Sequence, residues 1–328
     1  SLVDQIYGSP HQGIGVAYYN FGDYHEIGNP LSVYLLQGGQ LSEFDSRLSL
    51  NYEWNFGLSG GWHPYDVDHN PNNIIIGSKL NAYLHTSLYL NYALSRQFDL
   101  TAGIALTHFS NGNTQFPNAG LNTIGLKMGL IYNFNRQELS LSDRTRSLII
   151  PVFPRHLSYD MILFGSWRRK GIIFQDNPIA SPDTYGVAGF NFTSFYNFGY
   201  RFRAGISADG VYDSSANIYT EHYIVPVGGE NPGYSFYKPS LKNQLALGVS
   251  ARAEYVMPYF SVNAGLGVNV IHGGGDLKGL YQILALKIET TRNTFIHIGY
   301  NLQNFKDPNY LMLGIGYRFH NKYPAFYR

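Results

Sequence analysis

The sequence predicts an all-β protein, a closed antiparallel transmembrane β-barrel of about 14 strands (range about 12–16), and three observations predict it. Segments of alternating apolar and polar residues recur from one end to the other, with no helical period set against them. The connections between them alternate between tight turns and longer polar loops, as in bacterial outer-membrane barrels, where the short turns lie on the periplasmic side. The composition is aromatic, glycine-rich and weakly charged: Tyr 28, Phe 21 and Gly 36 against 14% charged residues.

In chain order, an irregular start at 1–11 precedes the barrel, expected over 12–319, and a tail follows at 320–328. Short strand candidates lie at 13–20 and 31–36. Segments 44–53 and 56–62 read as a hairpin around Trp54-Asn55, and a polar loop runs from Pro64 to Asn73. A long strand, 79–94, turns at Ser95-Arg96-Gln97 into 98–110, and the loop 111–118 leads into 119–134. After a charged connection at 135–155, candidates follow at 156–169, 184–196, 200–212, 242–256, 260–272, 280–290, 294–303 and 310–319. The candidates number fifteen, and a closed antiparallel ring needs an even number. One of the two N-terminal segments is therefore expected to lie outside the ladder.

Faces, lengths and composition narrow the class. Phe260, Val262, Ala264, Leu266, Val268 and Val270 alternate with Ser261, Asn263, Gly265, Gly267 and Asn269, which gives one oily face and one polar or small face. Strands longer than the ~5–6 residues of soluble sheets, with Tyr, Trp and Phe near their ends, place the oily face against lipid. The longest apolar runs, such as Leu148-Ile149-Ile150, are far too short for a membrane helix of ~20 residues. Zero cysteines exclude a disulfide scaffold and a thiolate metal site, and a net charge of +1 gives no electrostatic case for nucleic acid. No charged-then-apolar signal segment opens the chain at Ser1. The expected location is the outer membrane.

The hairpin 98–134 carries the chemistry. Leu100, Ala102, Ile104, Leu106, His108 and Ser110 share one strand face, and Asn122, Ile124, Leu126, Met128, Leu130 and Tyr132 share a face of the next strand. A His, a Ser and an Asn thus sit at the same, extracellular end of two oily faces, where polar groups are costly and usually functional. In His108-x-Ser110 the Cα atoms are one pleat repeat apart, roughly 6–7 Å. Their side chains can close that gap to the hydrogen bond that a nucleophile and its base require, with the third residue across the hairpin orienting the imidazole.

The segments His108-Phe109-Ser110-Asn111 and Pro117-Asn118-x-Gly120-x-Asn122 resemble the outer-membrane lipid A 3-O-deacylases of the PagL type and the longer, related acyloxyacyl hydrolase-like barrels. The resemblance implies a serine esterase that removes an ester-linked acyl chain from lipid A or a related outer-leaflet glycolipid. By it His108 is the base, Ser110 the nucleophile, and Asn111 lies in the oxyanion-hole segment, with no metal and no cofactor. The family's acidic triad member falls on Asn122, a departure, since an amide orients a histidine without stabilising its charged form. The alternative is a catalytically degenerate barrel serving as a structural subunit of an outer-membrane assembly, with the charged segment 136–155 as its docking region.

Further candidates have plainer readings beside them. Arg168, Arg169 and Lys170, at an extracellular strand end, are candidates for lipid phosphate. Asp66-Val67-Asp68-His69 offers hard oxygen ligands to a divalent cation but reads first as a solvated loop. Gly273-Gly274-Gly275-Asp276 lacks the strand-to-helix setting of a phosphate cradle and is a loop. His297, Asn301 and Gln303 face the lumen as interior packing. Inward residues that are polar rather than charged, under long loops, predict a barrel that is not a diffusion pore.

Overall fold

The computed structural model describes residues 2–134, 150–174, 177–181, 183–220, 236–305 and 307–323. The chain divides into two compact units, Ser1–Asn111 with Pro117–Val152, and Gly112–Phe116 with Phe153–Arg328. A short helix, α1 (Leu2–Tyr7), opens the first unit, where the sequence led us to expect no regular element.

The first unit is a six-stranded antiparallel sheet in chain order: β1 (His11–Tyr18), β2 (Gly28–Glu43), β3 (Leu48–Trp62), β4 (Leu80–Ala93), β5 (Phe98–Ser110) and β6 (Leu121–Tyr132). Its period-two pattern places apolar residues outside and polar ones inside. Val33, Leu58, Leu88, Ile104, Ile124 and Leu126 are exposed, whereas Asn55, Ser59, Asn81, Ser87 and Thr101 are buried. That is inverted relative to a soluble sheet and matches a sheet whose outer face meets hydrocarbon. Inside, Lys127 Nζ on β6 donates to Glu53 Oε1 on β3 at 3.0 Å and to Ser87 Oγ on β4 at 3.1 Å, so the sheet curls around its polar interior.

The second unit holds a closed barrel of eight antiparallel strands: β7 (His156–Arg168), β10 (Tyr185–Asn197), β11 (Phe202–Asp213), β12 (Leu245–Val256), β13 (Phe260–His272), β14 (Leu280–Glu289), β15 (Thr294–Gln303) and β16 (Asp307–Phe319). The ring closes because β7 pairs with β10 on one side and β16 on the other. A two-stranded ribbon, β8 (Gly171–Phe174) with β9 (Asn177–Ala180), extends from the end of β7. Leu163, Ile206, Leu284 and Ile315 face outward and exposed. No helix among the described residues is long and apolar enough to cross a membrane.

The interior of this barrel is charged, contrary to the expectation of polar, uncharged lining. Asp160 accepts from Lys287 Nζ at 2.9 Å and Arg318 Nε at 2.9 Å; Glu254 accepts from Lys287 Nζ at 2.6 Å and also binds Arg203. All five side chains are buried. The sequence pattern hid this because these five charges come from five different strands, and the pairing of strands, including the closure that sets Arg318 opposite Asp160, gathers them into pairs that offset their desolvation.

Two expectations are corrected. The closed barrel has eight strands, not about fourteen, because six of the ladder strands form a sheet of their own; alternation along a strand does not encode which strands close a ring. The surplus strand came from splitting β3 at Trp54-Asn55, not from the N terminus, where both 11–18 and 28–43 are ladder strands. The true turn precedes β3, where the Asp45 carboxylate accepts the N–H groups of Arg47 at 2.7 Å and Leu48 at 2.9 Å, an Asx turn that folds the chain back.

Candidate active site

Three side chains converge at the loop end of the β5–β6 hairpin. His108 and Asn122 are directly opposed in the ladder, and the His108 Nδ1–H donates to Asn122 Oδ1 at 2.7 Å. On the ring's other side, Ser110 donates its hydroxyl to His108 Nε2 at 2.9 Å. The order of these bonds follows from donor chemistry. An amide oxygen only accepts, so Nδ1 must carry the proton, and Nε2 is left with the lone pair that the serine hydroxyl needs.

Between the two outward residues, Phe109 points inward and is fully buried. Its ring meets Trp62 at 4.9 Å, Tyr19 at 5.1 Å and Tyr83 at 5.5 Å. Strand alternation thus lets one short segment present an imidazole and a hydroxyl on the outer face while an aromatic cluster anchors the backbone between them. Below the site on the outer face, Leu106 stands opposite Ile124 and Ile104 opposite Leu126, all four exposed. An apolar track therefore leads along the sheet to the hydroxyl.

Asn111 follows Ser110 and is buried. Its backbone N–H donates to Asn118 Oδ1 at 3.0 Å, which ties the two ends of the loop together. The loop 63–79 adds supports that sequence reasoning missed. Asn73, completely buried, donates to the carbonyls of Glu26 at 3.0 Å and His63 at 2.7 Å, and accepts the N–H groups of Ile75 and Ile76 at 3.0 Å each. Asn70 bonds the same two carbonyls. The only signal in the sequence is the density of Asn and Pro over 70–73, which also describes a solvated loop.

The remaining candidates resolve differently. Arg168 is buried and pairs with Asp213 at 3.3 Å and with Asn309, and Lys170 binds Asp276 and the Ser215 carbonyl. These two cations are committed inside their own unit, because the loops above the barrel supply them with partners. Arg169 is exposed. In the 66–69 loop the His69 ring hydrogen bond, with the N–H groups of His69 and Asp68, holds the Asp66 carboxyl below its usual range. That carboxylate closes a turn, and no metal-binding cluster exists among the described residues. Gly273–Asp276 is a loop with one 3-10 turn, Gly275–Leu277. His297 and Asn301 are buried in the barrel, and Gln303 caps the carbonyls of Asp276 and Lys278 at 2.8 Å each. Most of the charged connection, 135–149, lies outside the described residues.

Comparison with known proteins gives matches that divide much as the structure does. A family model described as lipid A 3-O-deacylase (PagL) matches residues 3–131, and one described as acyloxyacyl hydrolase, C-terminal domain, matches residues 157–321. No curated protein matches the chain. Among solved structures, the ferric enterobactin receptor PfeA of Pseudomonas aeruginosa is similar at 13% identity and a TM-score of 0.23, covering 90% of this chain. The chain spans 44% of that receptor's length. LpxR from Salmonella typhimurium is similar at 9% identity and a TM-score of 0.19, covering 95% of this chain and 99% of that one. The Pseudomonas putida toluene transporter TodX is similar at 10% identity and a TM-score of 0.21, covering 95% and 87%.

Proposed function

We propose, since the chain belongs to the outer-membrane family of lipid A 3-O-deacylases and acyloxyacyl hydrolases, that it is a serine esterase cleaving an ester-linked acyl chain from lipid A or a related outer-leaflet glycolipid. The observation that carries this reading is the unbroken chain of hydrogen bonds from Ser110 through His108 to Asn122, on the outer, apolar face of a membrane sheet.

In this mechanism Ser110 Oγ attacks the ester carbonyl as His108 Nε2 takes its proton. Collapse of the tetrahedral intermediate expels the sugar alcohol, which receives that proton, and leaves an acyl-serine. Water, deprotonated by the same nitrogen, then releases the fatty acid and restores the serine. Asn122 holds the ring in the productive tautomer. Asn111 lies in the segment that would stabilise the oxyanion, and its N–H, now on Asn118 Oδ1, would exchange that partner for the developing charge. An acyl chain lying along Leu106, Ile124, Ile104 and Leu126 reaches Ser110 without leaving the leaflet.

A neutral third member lowers the rate without removing the machinery. In the serine-protease triad, an Asp-to-Asn change costs about 10⁴ in turnover, while binding and the oxyanion hole alone retain about 10³–10⁴ over water. The same neutrality of Asn122 is the one observation favouring the second reading, a barrel that kept the fold as part of an assembly and lost the chemistry. Purified protein in detergent, assayed for fatty-acid release from lipid A, separates the two. The esterase reading expects release by the native chain, none above background by Ser110→Ala, and faster release by Asn122→Glu. No release by either the native chain or Asn122→Glu would leave the structural role.

A further inference from the structure

We infer that Gly120 and Asn73 are positioning residues for His108, forming a scaffold that sets the imidazole between Ser110 and Asn122. This deepens the esterase reading of the site, and its chief test does not depend on that reading.

Gly120 has φ +73°, in the left-handed region. A Cβ built there would lie 3.2 Å from His108 Cε1 and 3.3 Å from the Phe109 carbonyl oxygen. Cε1 is the ring carbon between the two nitrogens that bond Ser110 and Asn122. A methyl group at 120 therefore presses on the one ring atom whose displacement strains both hydrogen bonds together. A left-handed residue at this point also starts β6 so that Asn122 arrives opposite His108.

What holds Gly120 there is the loop 63–79. The Gly120 N–H donates to the Ile75 carbonyl at 3.2 Å, and the Ala119 N–H donates to the Ile74 carbonyl at 3.4 Å. The backbone of Ile74–Ile76 is fixed in turn by Asn73, whose amide makes all four of its hydrogen bonds to main-chain groups. Ile76 is fully buried in the aromatic cluster that also holds Phe109. The hydrogen-bonded path thus runs from Asn73 through the carbonyls of Ile74 and Ile75 to the Gly120 backbone, which packs on the imidazole. No member of it before His108 touches the reacting atoms.

The test uses the full chain folded in detergent, with folding followed by the mobility difference between heated and unheated samples on gels. The ring-nitrogen spectrum of ¹⁵N-histidine-labelled protein, with the His108 signals identified by their loss in His108→Gln, reads the tautomer directly. The native chain is expected to show His108 as the Nδ1–H form. Gly120→Ala and Asn73→Ala are expected to move it toward an averaged mixture, whereas Asn73→Asp, which keeps both acceptor bonds, shifts it less. Ala119→Gly, in the same turn, is expected to leave it unchanged. If the native chain releases fatty acid, kcat per folded molecule, with the folded fraction taken from the gel because misfolding also lowers apparent kcat at constant KM, falls about ten- to a hundred-fold in Gly120→Ala with KM within about two-fold. Native-like His108 signals in folded Gly120→Ala and Asn73→Ala would overturn the inference, even with an active enzyme. An inactive native chain whose His108 signals nevertheless shift in these variants would remove the esterase reading and keep the scaffold. Asn73→Asp gives a milder change should either alanine variant fail to fold, and a native-like tautomer in it together with the other folded variant also counts against the scaffold.

Discussion

At the scale of single residues, the site rests on one imidazole placed by neighbours of three kinds. Ser110 and Asn122 bond its nitrogens, Gly120 leaves room for its carbon, and Phe109 anchors the strand from within. His108 and Ser110 were legible in the sequence, because period two alone puts them on the same oily face. Asn122 became legible once the hairpin register was assumed. Gly120 and Asn73 were not, since their roles depend on contacts between loops far apart in sequence. The partners of Arg168 and Lys170 were hidden for the same reason: a cluster of cations at a strand end looks free until the loops that neutralise it are in place. Truncating the anchor tests the packing half of this account. Phe109→Ala is expected to cost about 3–5 kcal/mol of stability through the lost aromatic contacts, measured as a lower urea midpoint, and a change below about 1 kcal/mol would show that the cluster is not holding the strand.

Among the elements, the loops above the eight-stranded barrel are tied by charge. Lys170, after β7, reaches Asp276 in the β13–β14 loop, and Asp276 also accepts the Asn217 N–H at 2.6 Å from the β11–β12 loop. Burial pushes the Asp276 carboxyl up, but the Lys170 ammonium and the Asn217 N–H outweigh it and leave the group below its usual range. The sign of the pH effect follows. A carboxylate depressed on folding adds stability above its unfolded value, about 3.9, and loses it as pH falls through the folded value. Asp276→Asn should therefore melt below the native chain at about pH 6, by roughly 1 kcal/mol or less for a partly exposed pair, and the gap should close below about pH 4. A gap independent of pH would assign the loss to something other than this charge. The sequence marked these segments correctly as loops, yet nothing in a Gly-Gly-Gly-Asp run indicates the lysine that its carboxylate finds. The misplaced turn at Trp54-Asn55 has a similar origin: composition favoured no turn at either place strongly, and the Asp45 side chain decided it.

For the whole molecule, the sequence carried the all-β class, the membrane faces and the direction of the hairpin site, but not the division into a six-stranded sheet and an eight-stranded ring. Closure depends on β7 meeting β16, a pairing of residues about 150 apart that no local pattern records. The ring's buried ions follow from that closure and give two expectations. Planar-bilayer recording should show no large, stable conductance, since Arg203, Lys287 and Arg318 with their carboxylates fill the lumen. Lys287→Met, which leaves Asp160 and Glu254 short of a cation, should lower stability by about 3–5 kcal/mol, read from the temperature at which gel mobility changes; an unchanged transition would mean the pairs are dispensable.

The central claim is that Ser110, on the lipid face, cleaves an outer-leaflet ester with His108 as its base. Mass spectrometry of lipid A from cells producing the native chain, Ser110→Ala or Asn122→Glu tests it most directly. The account predicts loss of one acyl group with the native chain, intact lipid A with Ser110→Ala, and more complete loss with Asn122→Glu. Identical lipid A profiles in all three would contradict it.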